Sequence, residues 1–413
     1  MRDEVLVIGA GPAGLASAYR LKQAGIPYRV VDRASVIAST WAYLYPSLRL
    51  NTARFVSHLP GQRMPLSADI YPTARQFYDY CLDYAARNQF NIQLGVTVKR
   101  VALSPHPPSP PLPGGKEGEK THPGTFRTWW VETDHWSEEF GAVIIATGRF
   151  GNPQLPPIPG METFTGRVLH ASEYHGVQGF EGQRVMTVGA GPSGADIAVE
   201  LATAAAHPVL YSVRHDIVLA RRFPFGIPET AWKIVIDLLP NKPRKWLTDR
   251  ILYMGYRDVS GLGLKFAPNR EERQGTGAPV RGPELIAAIR SGGVKPVVGV
   301  RALHPSAQPG MGCVEMDDGT THEVNAIIFG TGYRPTLSYL DIDYTPDRDG
   351  WPLREGDDGS KAFLEGRVTA VAGYPGLYLV GRFYRGLGPL HNIRAESADA
   401  VQRIAARLAS RQN

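Results

Sequence analysis

Two glycine clusters, Gly9-Ala10-Gly11-Pro12-Ala13-Gly14 and Gly189-Ala190-Gly191-Pro192-Ser193-Gly194, each follow an apolar run and open an Ala-rich segment. In such a cluster the first glycine makes the tight turn, the second lets backbone approach a pyrophosphate, and the third lets a helix pack closely on a strand. The helix N-terminus adds N–H groups and the positive end of its dipole. Behind the first cluster, Asp32 with Arg33 beside it ends the next apolar run, where a carboxylate can accept hydrogen bonds from ribose hydroxyls. Behind the second, the matching stretch ends Ser212-Val213-Arg214-His215 and carries no acid. Arg214 and Ser212 suit a 2′-phosphate, so NADPH is the expected donor and NADH the weaker one; a plain surface arginine is the alternative for Arg214. Two such sites in one chain imply hydride passing from a nicotinamide to a flavin.

Each cluster needs a strand, a turn, a helix and a second strand to hold it. The first set is expected at residues 5–8, 15–24 and 28–31, with Gly25 closing the helix, and the second at 184–188, 195–206 and 209–213. The expected fold is therefore α/β with two Rossmann-like dinucleotide-binding domains. One, for FAD, takes residues 1–155 and 322–413, and the other, for NADP, takes residues 160–321. Strands at 95–103 and 126–133 flank a proline-rich stretch, about 104–124, read as a disordered insertion. A strand at 142–145 runs into Ala146-Thr147-Gly148, and prolines between 151 and 160 mark a linker. Residues 223–277 form a helical insertion, with one or two amphipathic helices near 232–239 and 246–253 for which packing on the second domain is the favoured reading and covering a substrate pocket or touching a membrane surface the alternatives. A helix at 283–290 and a strand at 325–329 then lead into Gly330-Thr331-Gly332. After Gly386-Leu387-Gly388-Pro389, a helix to about residue 408 returns to the FAD domain.

The chain has 413 residues with 45 Lys+Arg against 39 Asp+Glu. The basic residues are scattered without a dense block, which argues against nucleic acid and for a solvated surface. Cys81 and Cys313 form no CxxC, which excludes a redox dithiol or zinc knuckle and fits a reducing cytoplasm. No apolar run is long enough to span a bilayer, so a cytoplasmic protein without stable membrane insertion is expected. No Ser/His/Asp set or metal-ligand cluster is evident, as expected where the cofactor carries the hard chemistry.

Between the glycine clusters, Phe164-x-Gly166-x-x-x-His170-x-x-x-Tyr174 matches the signature of the flavin-containing monooxygenases, the class B flavoprotein monooxygenases. Tyr174 stands where their Baeyer–Villiger relatives carry Trp. Thr40-Trp41, Tyr45-x-x-Leu48-x-x-Asn51-Thr52 and Tyr71-Pro72-Thr73 resemble that family's flavin-facing segment. Phe329-Gly330-Thr331-Gly332-Tyr333 resembles its second signature, with Gly330 in place of the usual Ala. Pro279-Val280-x-Gly282, residues 289–292 and the stretch 385–400 look most like the plant YUCCA branch and its bacterial relatives.

The resemblance implies a two-domain architecture like that of glutathione reductase, with FAD and NADPH as cofactors and a small-molecule substrate and O2 as partners. It implies oxygen addition at flavin C4a and delivery of one atom, from a hydroperoxide, to a soft nitrogen or sulfur nucleophile or a ketone. YUCCA-like oxidative decarboxylation of a 2-oxo acid such as indole-3-pyruvate is the close alternative, and a reductase or oxidase without oxygen transfer the distant one. By the same resemblance Asn51 is the catalytic residue, contacting both flavin and NADP. Thr40, Trp41, Thr52, Thr147, Gly148, His170, Thr331, Gly332, Gly386, Leu387 and Gly388 join the cofactor contacts. His391 either faces the pocket or has a capping or surface role, and is not assigned to catalysis. The assembly is open between monomer and homodimer.

Overall fold

The computed structural model describes residues 3–105, 127–248, 250–251, 261–265, 279–347, 349–357, 368–382 and 386–412. The proline-rich stretch expected at 104–124 falls outside these, apart from Ser104 and Pro105, as does much of the expected helical insertion 223–277 beyond Thr248.

Val5–Ile8 is buried along its whole length, as a continuous apolar run must be when both faces of a parallel sheet are covered. It is the central strand of a five-stranded sheet ordered Leu377–Leu379, Ala142–Ile145, Val5–Ile8, Tyr28–Asp32, Ile92–Leu94, parallel throughout. Arg184–Val188 is the central strand of a second parallel sheet, ordered Val294–Val297, Ala206–Ser212, Arg184–Val188, Ala326–Phe329, Arg167–His170. Helices Pro12–Gln23 and Pro192–Leu201 leave the two glycine turns with proline in the first turn, where its missing N–H costs nothing. Both central strands thus deliver their loops to the carboxyl edge of a sheet, where open α/β sheets bind ligands.

The first unit is assembled from both ends of the chain. Leu377–Leu379 supplies its edge strand, and the helix Pro389–Gln412 lays Leu390, Ile393, Val401 and Ile404 into the core that holds Leu15, Ala18 and Leu21. Three-stranded antiparallel ribbons attach to each unit. Val98–Leu103, Trp129–Thr133 and Ser137–Phe140 form one; Val300–Pro305, Gly312–Met316 and Thr321–Val324 form the other, which the sequence reading did not assign.

The expected crossing at 321/322 lies inside that second ribbon, and Ala326–Phe329 still pairs within the second sheet. The chain returns instead at Tyr333–Arg334, which pairs antiparallel with Asn152–Pro153. The stretch expected as a plain linker at 151–160 is therefore half of a hydrogen-bonded two-strand hinge. The second glycine helix ends at Leu201 and its following strand begins at Ala206, where helix was expected. In the insertion, helices run Glu229–Asp237 and Asn241–Thr248.

Gly330, the departure from the family's usual Ala, has a steric cause. A Cβ there would lie 2.8 Å from the Gly194 nitrogen and 3.0 Å from its Cα, so strand end and helix start touch backbone to backbone. Gly330→Ala should destabilise the second unit by about 1–3 kcal/mol through overpacking. A thermal unfolding midpoint lowered by several degrees checks this, and an unchanged midpoint contradicts it.

Candidate active site

The glycine loops of the two units open into one continuous cleft of ≈ 1730 Å³. Every residue singled out from the sequence as catalytic or cofactor-binding lines it, apart from Gly14, Gly194 and Leu387. The first and third glycines of each cluster are spent on packing. Gly9 has φ +110°, and a Cβ there would lie 2.6 Å from the Ala146 carbonyl oxygen; Gly189 has φ +135° and a contact of 2.5 Å with that of Gly330. A Cβ at Gly14 would meet the Gly9 oxygen at 1.8 Å, and one at Gly194 the Gly189 oxygen at 2.3 Å. At the middle glycines, Gly11 and Gly191, a Cβ would meet nothing within 4 Å. Their open faces, in the cleft wall, are the cradles that suit a pyrophosphate.

Asp32 is anchored for its expected task. The Ala10 N–H donates to its Oδ2 at 2.7 Å and the Ala34 N–H to its Oδ1 at 2.8 Å, fixing the carboxylate at the strand end. In the second unit Arg214 and His215 are exposed in the cleft wall, and Arg214 Nε reaches His215 Nε2 at 3.1 Å. Ser212 is buried and donates its hydroxyl to the Val298 carbonyl at 2.8 Å, so its proton is turned inward, while Arg214 stays exposed in the cleft wall. The residues present fit two dinucleotides.

His170 is a brace. The Ser172 N–H donates to its Nδ1 at 3.1 Å, which puts the proton on Nε2, and Nε2 donates to the Gly332 carbonyl at 3.1 Å. Burial holds the ring below its ordinary pKa, so it stays neutral. The rest of the eleven-residue signature is structural in the same way. Phe164 fills the space above Gly312 and Gly166, where a Cβ would meet its ring at 2.1 and 2.7 Å. Tyr174 packs its ring 5.8 Å from Tyr45, which belongs to the first unit.

Asn51 is exposed at a bend in the cleft wall, and its loop is tied down on two sides. The Ala53 N–H donates to Thr230 Oγ1 at 3.1 Å, across from the helical insertion. A Cβ at Gly388 would meet Thr52 Cγ2 at 2.7 Å, so the C-terminal glycine turn closes over the same loop. Tyr71 donates its hydroxyl to the Arg222 carbonyl at 2.7 Å, adding a second strut between the units. His391 joins Arg394 and His58 outside the cleft lining, and burial, with the Arg394 guanidinium beside it, lowers its pKa to about 4.

Among the lining side chains that sequence reasoning missed are Tyr45 as a polar group, Asp196, Lys233 and Arg281. The first two carried a signal, since Asp196 lies one helical turn beyond the second glycine loop and Tyr45 sits within the flavin-facing segment. Burial raises the Asp196 carboxyl to about 7, with Arg222 and Arg281 opposing and Glu284 and Glu200 reinforcing. Among the described residues no group of three or more His, Cys, Asp or Glu could hold a metal, and no helix is long and apolar enough to cross a membrane.

Comparison with known proteins decides between the redox classes. The family described as flavin-binding monooxygenase-like matches residues 2–345. The chain belongs to that family. It is 31% identical over 401 residues to the probable indole-3-pyruvate monooxygenase YUCCA3 of Arabidopsis thaliana, covering 92% of this chain and 82% of that one. It is 32% identical over 403 residues to the indole-3-pyruvate monooxygenase YUCCA8 of Oryza sativa subsp. indica, covering 93% and 87%. Among solved structures it resembles a flavin-containing monooxygenase from Stenotrophomonas maltophilia, with TM-score 0.67 and 22% identity over 98% of this chain and 99% of that one. A bacillithiol disulfide reductase from Staphylococcus aureus has TM-score 0.62 and 16% identity, covering 98% of each chain. The fold is thus shared with reductases, and family membership makes this chain a monooxygenase using FAD and NADPH.

Two outcomes check the site. Gly11→Ala should weaken FAD binding by at least about tenfold while leaving apoprotein stability unchanged, because the added methyl enters the cradle and not the core; retained flavin absorbance contradicts it. For Asp196, the neutral acid should persist up to a midpoint near pH 7 and ionise above it. Infrared difference spectra should show its carboxyl band lost through that midpoint, and absent from Asp196→Asn; full ionisation at pH 5 contradicts it.

Proposed function

We propose that this monooxygenase carries hydride from NADPH to FAD across the cleft and transfers one oxygen atom to a small organic substrate held beside Asn51. The observation that carries the reading is that both glycine cradles and Asn51 share one cleft, with Asn51 on a loop fixed from two directions. When bound, FAD supplies the redox and oxygen chemistry. The protein's part is to orient the two nucleotides, exclude water and offer the Asn51 amide as a donor where charge develops. Arg214, at the end of the second strand, selects NADPH over NADH.

The substrate class is either a soft nucleophile or ketone, or a 2-oxo acid. Two observations favour the 2-oxo acid: the names of the curated relatives and the pair of cations, Lys233 and Arg281, in the cleft wall. The balanced reaction consumes the 2-oxo acid, O2, NADPH and a proton. It yields the acid shortened by one carbon, CO2, NADP+ and water.

Turnover of indole-3-pyruvate with NADPH under labelled O2 tests this, with catalase present because free peroxide decarboxylates 2-oxo acids unaided. One labelled atom in the acid product is expected; NADPH oxidation without labelled acid contradicts it. Asn51→Ala should leave FAD bound and flavin reduction nearly intact while acid formed per NADPH falls by about tenfold or more and peroxide rises. Unchanged coupling would remove Asn51 from the chemistry.

A further inference from the structure

Outside the cleft lining, three elements of the first unit bring five basic side chains together. Helix Pro12–Gln23 contributes Arg20 from its last turn, and helix Pro389–Gln412 contributes His391 and Arg394. The loop after Ser57 contributes His58 and Arg63. Arg394 Nη1 donates to His58 Nε2 and its Nη2 to His391 Nδ1, both at 2.5 Å. His58 Nδ1–H donates to the Leu59 carbonyl at 3.1 Å, so that ring is neutral. The His391 proton sits on Nε2, which has no hydrogen-bond partner among the described residues. Burial, with the Arg394 guanidinium beside each ring, keeps both imidazoles below the ordinary histidine pKa.

The guanidinium groups lack a counter-charge. Arg394 bonds only these two neutral rings, and Arg20, which faces it, has its Nε buried without a hydrogen-bond partner. Among the described residues no carboxylate pairs with Arg20, Arg63 or Arg394. Tyr80 faces Arg394 from helix Ala74–Asn88, but its neutral hydroxyl already donates to the Gln62 carbonyl and accepts from the Leu59 N–H. Asp83, on the same helix, is bonded to Arg87 and Gln62. Elsewhere a comparably placed arginine is balanced: Arg29 meets Glu4 and Glu138, both at 3.0 Å. Partial burial strips the water that would screen Arg20 from Arg394, so the uncompensated pair costs stability until an anion joins it.

We propose that Arg20 and Arg394, with the His391 Nε2–H, bind a tetrahedral oxyanion of charge −2: free phosphate, or the phosphate of a small organic monoester. Guanidinium forks match phosphate oxygens, and two of them balance a dianion, whereas a single carboxylate leaves one charge over. The nucleotide cradles and Arg214 line the cleft, and this cluster is separate from them. His58 follows the Asn51–Ser57 segment, which the Thr52 and Ser57 hydroxyls close at 2.6 Å. The bound anion clamps the loop that continues from Asn51 to both helices.

The test is calorimetric titration of the FAD-loaded, NADP+-saturated protein with sodium phosphate, against sodium chloride at equal ionic strength. Phosphate should bind at one site and raise the thermal midpoint with its concentration. Arg20→Gln and Arg394→Gln should each weaken phosphate by about tenfold or more, and Arg20→Lys should keep most of the affinity. In phosphate-free buffer of low salt, Arg20→Gln should melt no lower than the wild type, because it removes a repulsion; an arginine with a purely structural role would lower the midpoint when replaced. Phenyl phosphate binding tighter than the free ion assigns the site to an organic ester, and the reverse order to inorganic phosphate; both sustain the proposal. No phosphate heat beyond that of chloride, unchanged phosphate affinity in Arg20→Gln, or a lowered midpoint of that variant without phosphate overturns it. So does phosphate binding seen only when NADP+ is left out, which would give the anion to Arg214.

Discussion

Backbone-to-backbone contact between a strand end and a helix start is the constraint from which the site follows. In the first unit the Gly9 turn presses on the Ala146 carbonyl, and in the second the Gly189 turn presses on that of Gly330. No side chain fits in either seam. Because the seams are closed, each helix begins immediately at the carboxyl edge of its sheet, and its free N–H groups face the cleft. Loosening a seam by one methyl group would shift the helix that carries the middle glycine, and with it the cradle.

The second level of organisation is the joining of the units. Asn152–Pro153 pairs with Tyr333–Arg334, and Gln154 exchanges hydrogen bonds with Thr331 and Gly332. His170 holds the Gly332 carbonyl from the other side. Further out, Ala53 to Thr230 and Tyr71 to Arg222 connect the flavin-side loops to the insertion. These ties hold the loops that line the cleft in register across the two units. The signature between the glycine clusters is thus a mechanical part of that joint.

Much of this was legible in the sequence where the physics is local. A glycine turn between an apolar run and an Ala-rich helix needs only neighbouring residues, so both glycine turns and the strand that ends at Asp32 were readable. The Pro-rich hinge was read as a linker because its partner, Tyr333–Arg334, is remote in the chain. The places of Lys233 and Arg281 in the cleft wall were illegible for the same reason: Arg281 bonds Glu229, 52 positions away, and Thr230 and Ala53 are 177 apart. His170 and Ser212 were nominated as cofactor contacts by position, and only their hydrogen-bond partners reveal that both groups are engaged within the fold.

The central claim is that two nucleotides meet at Asn51 in one cleft, and a crystal structure of the protein with FAD and NADP+ tests it most directly. The account predicts one pyrophosphate against Gly11 and the other against Gly191, the 2′-phosphate on Arg214, and the Asn51 amide within hydrogen-bond reach of both ring systems. An NADP+ bound away from the Gly189–Gly194 turn, or a flavin ring remote from Asn51, would contradict it.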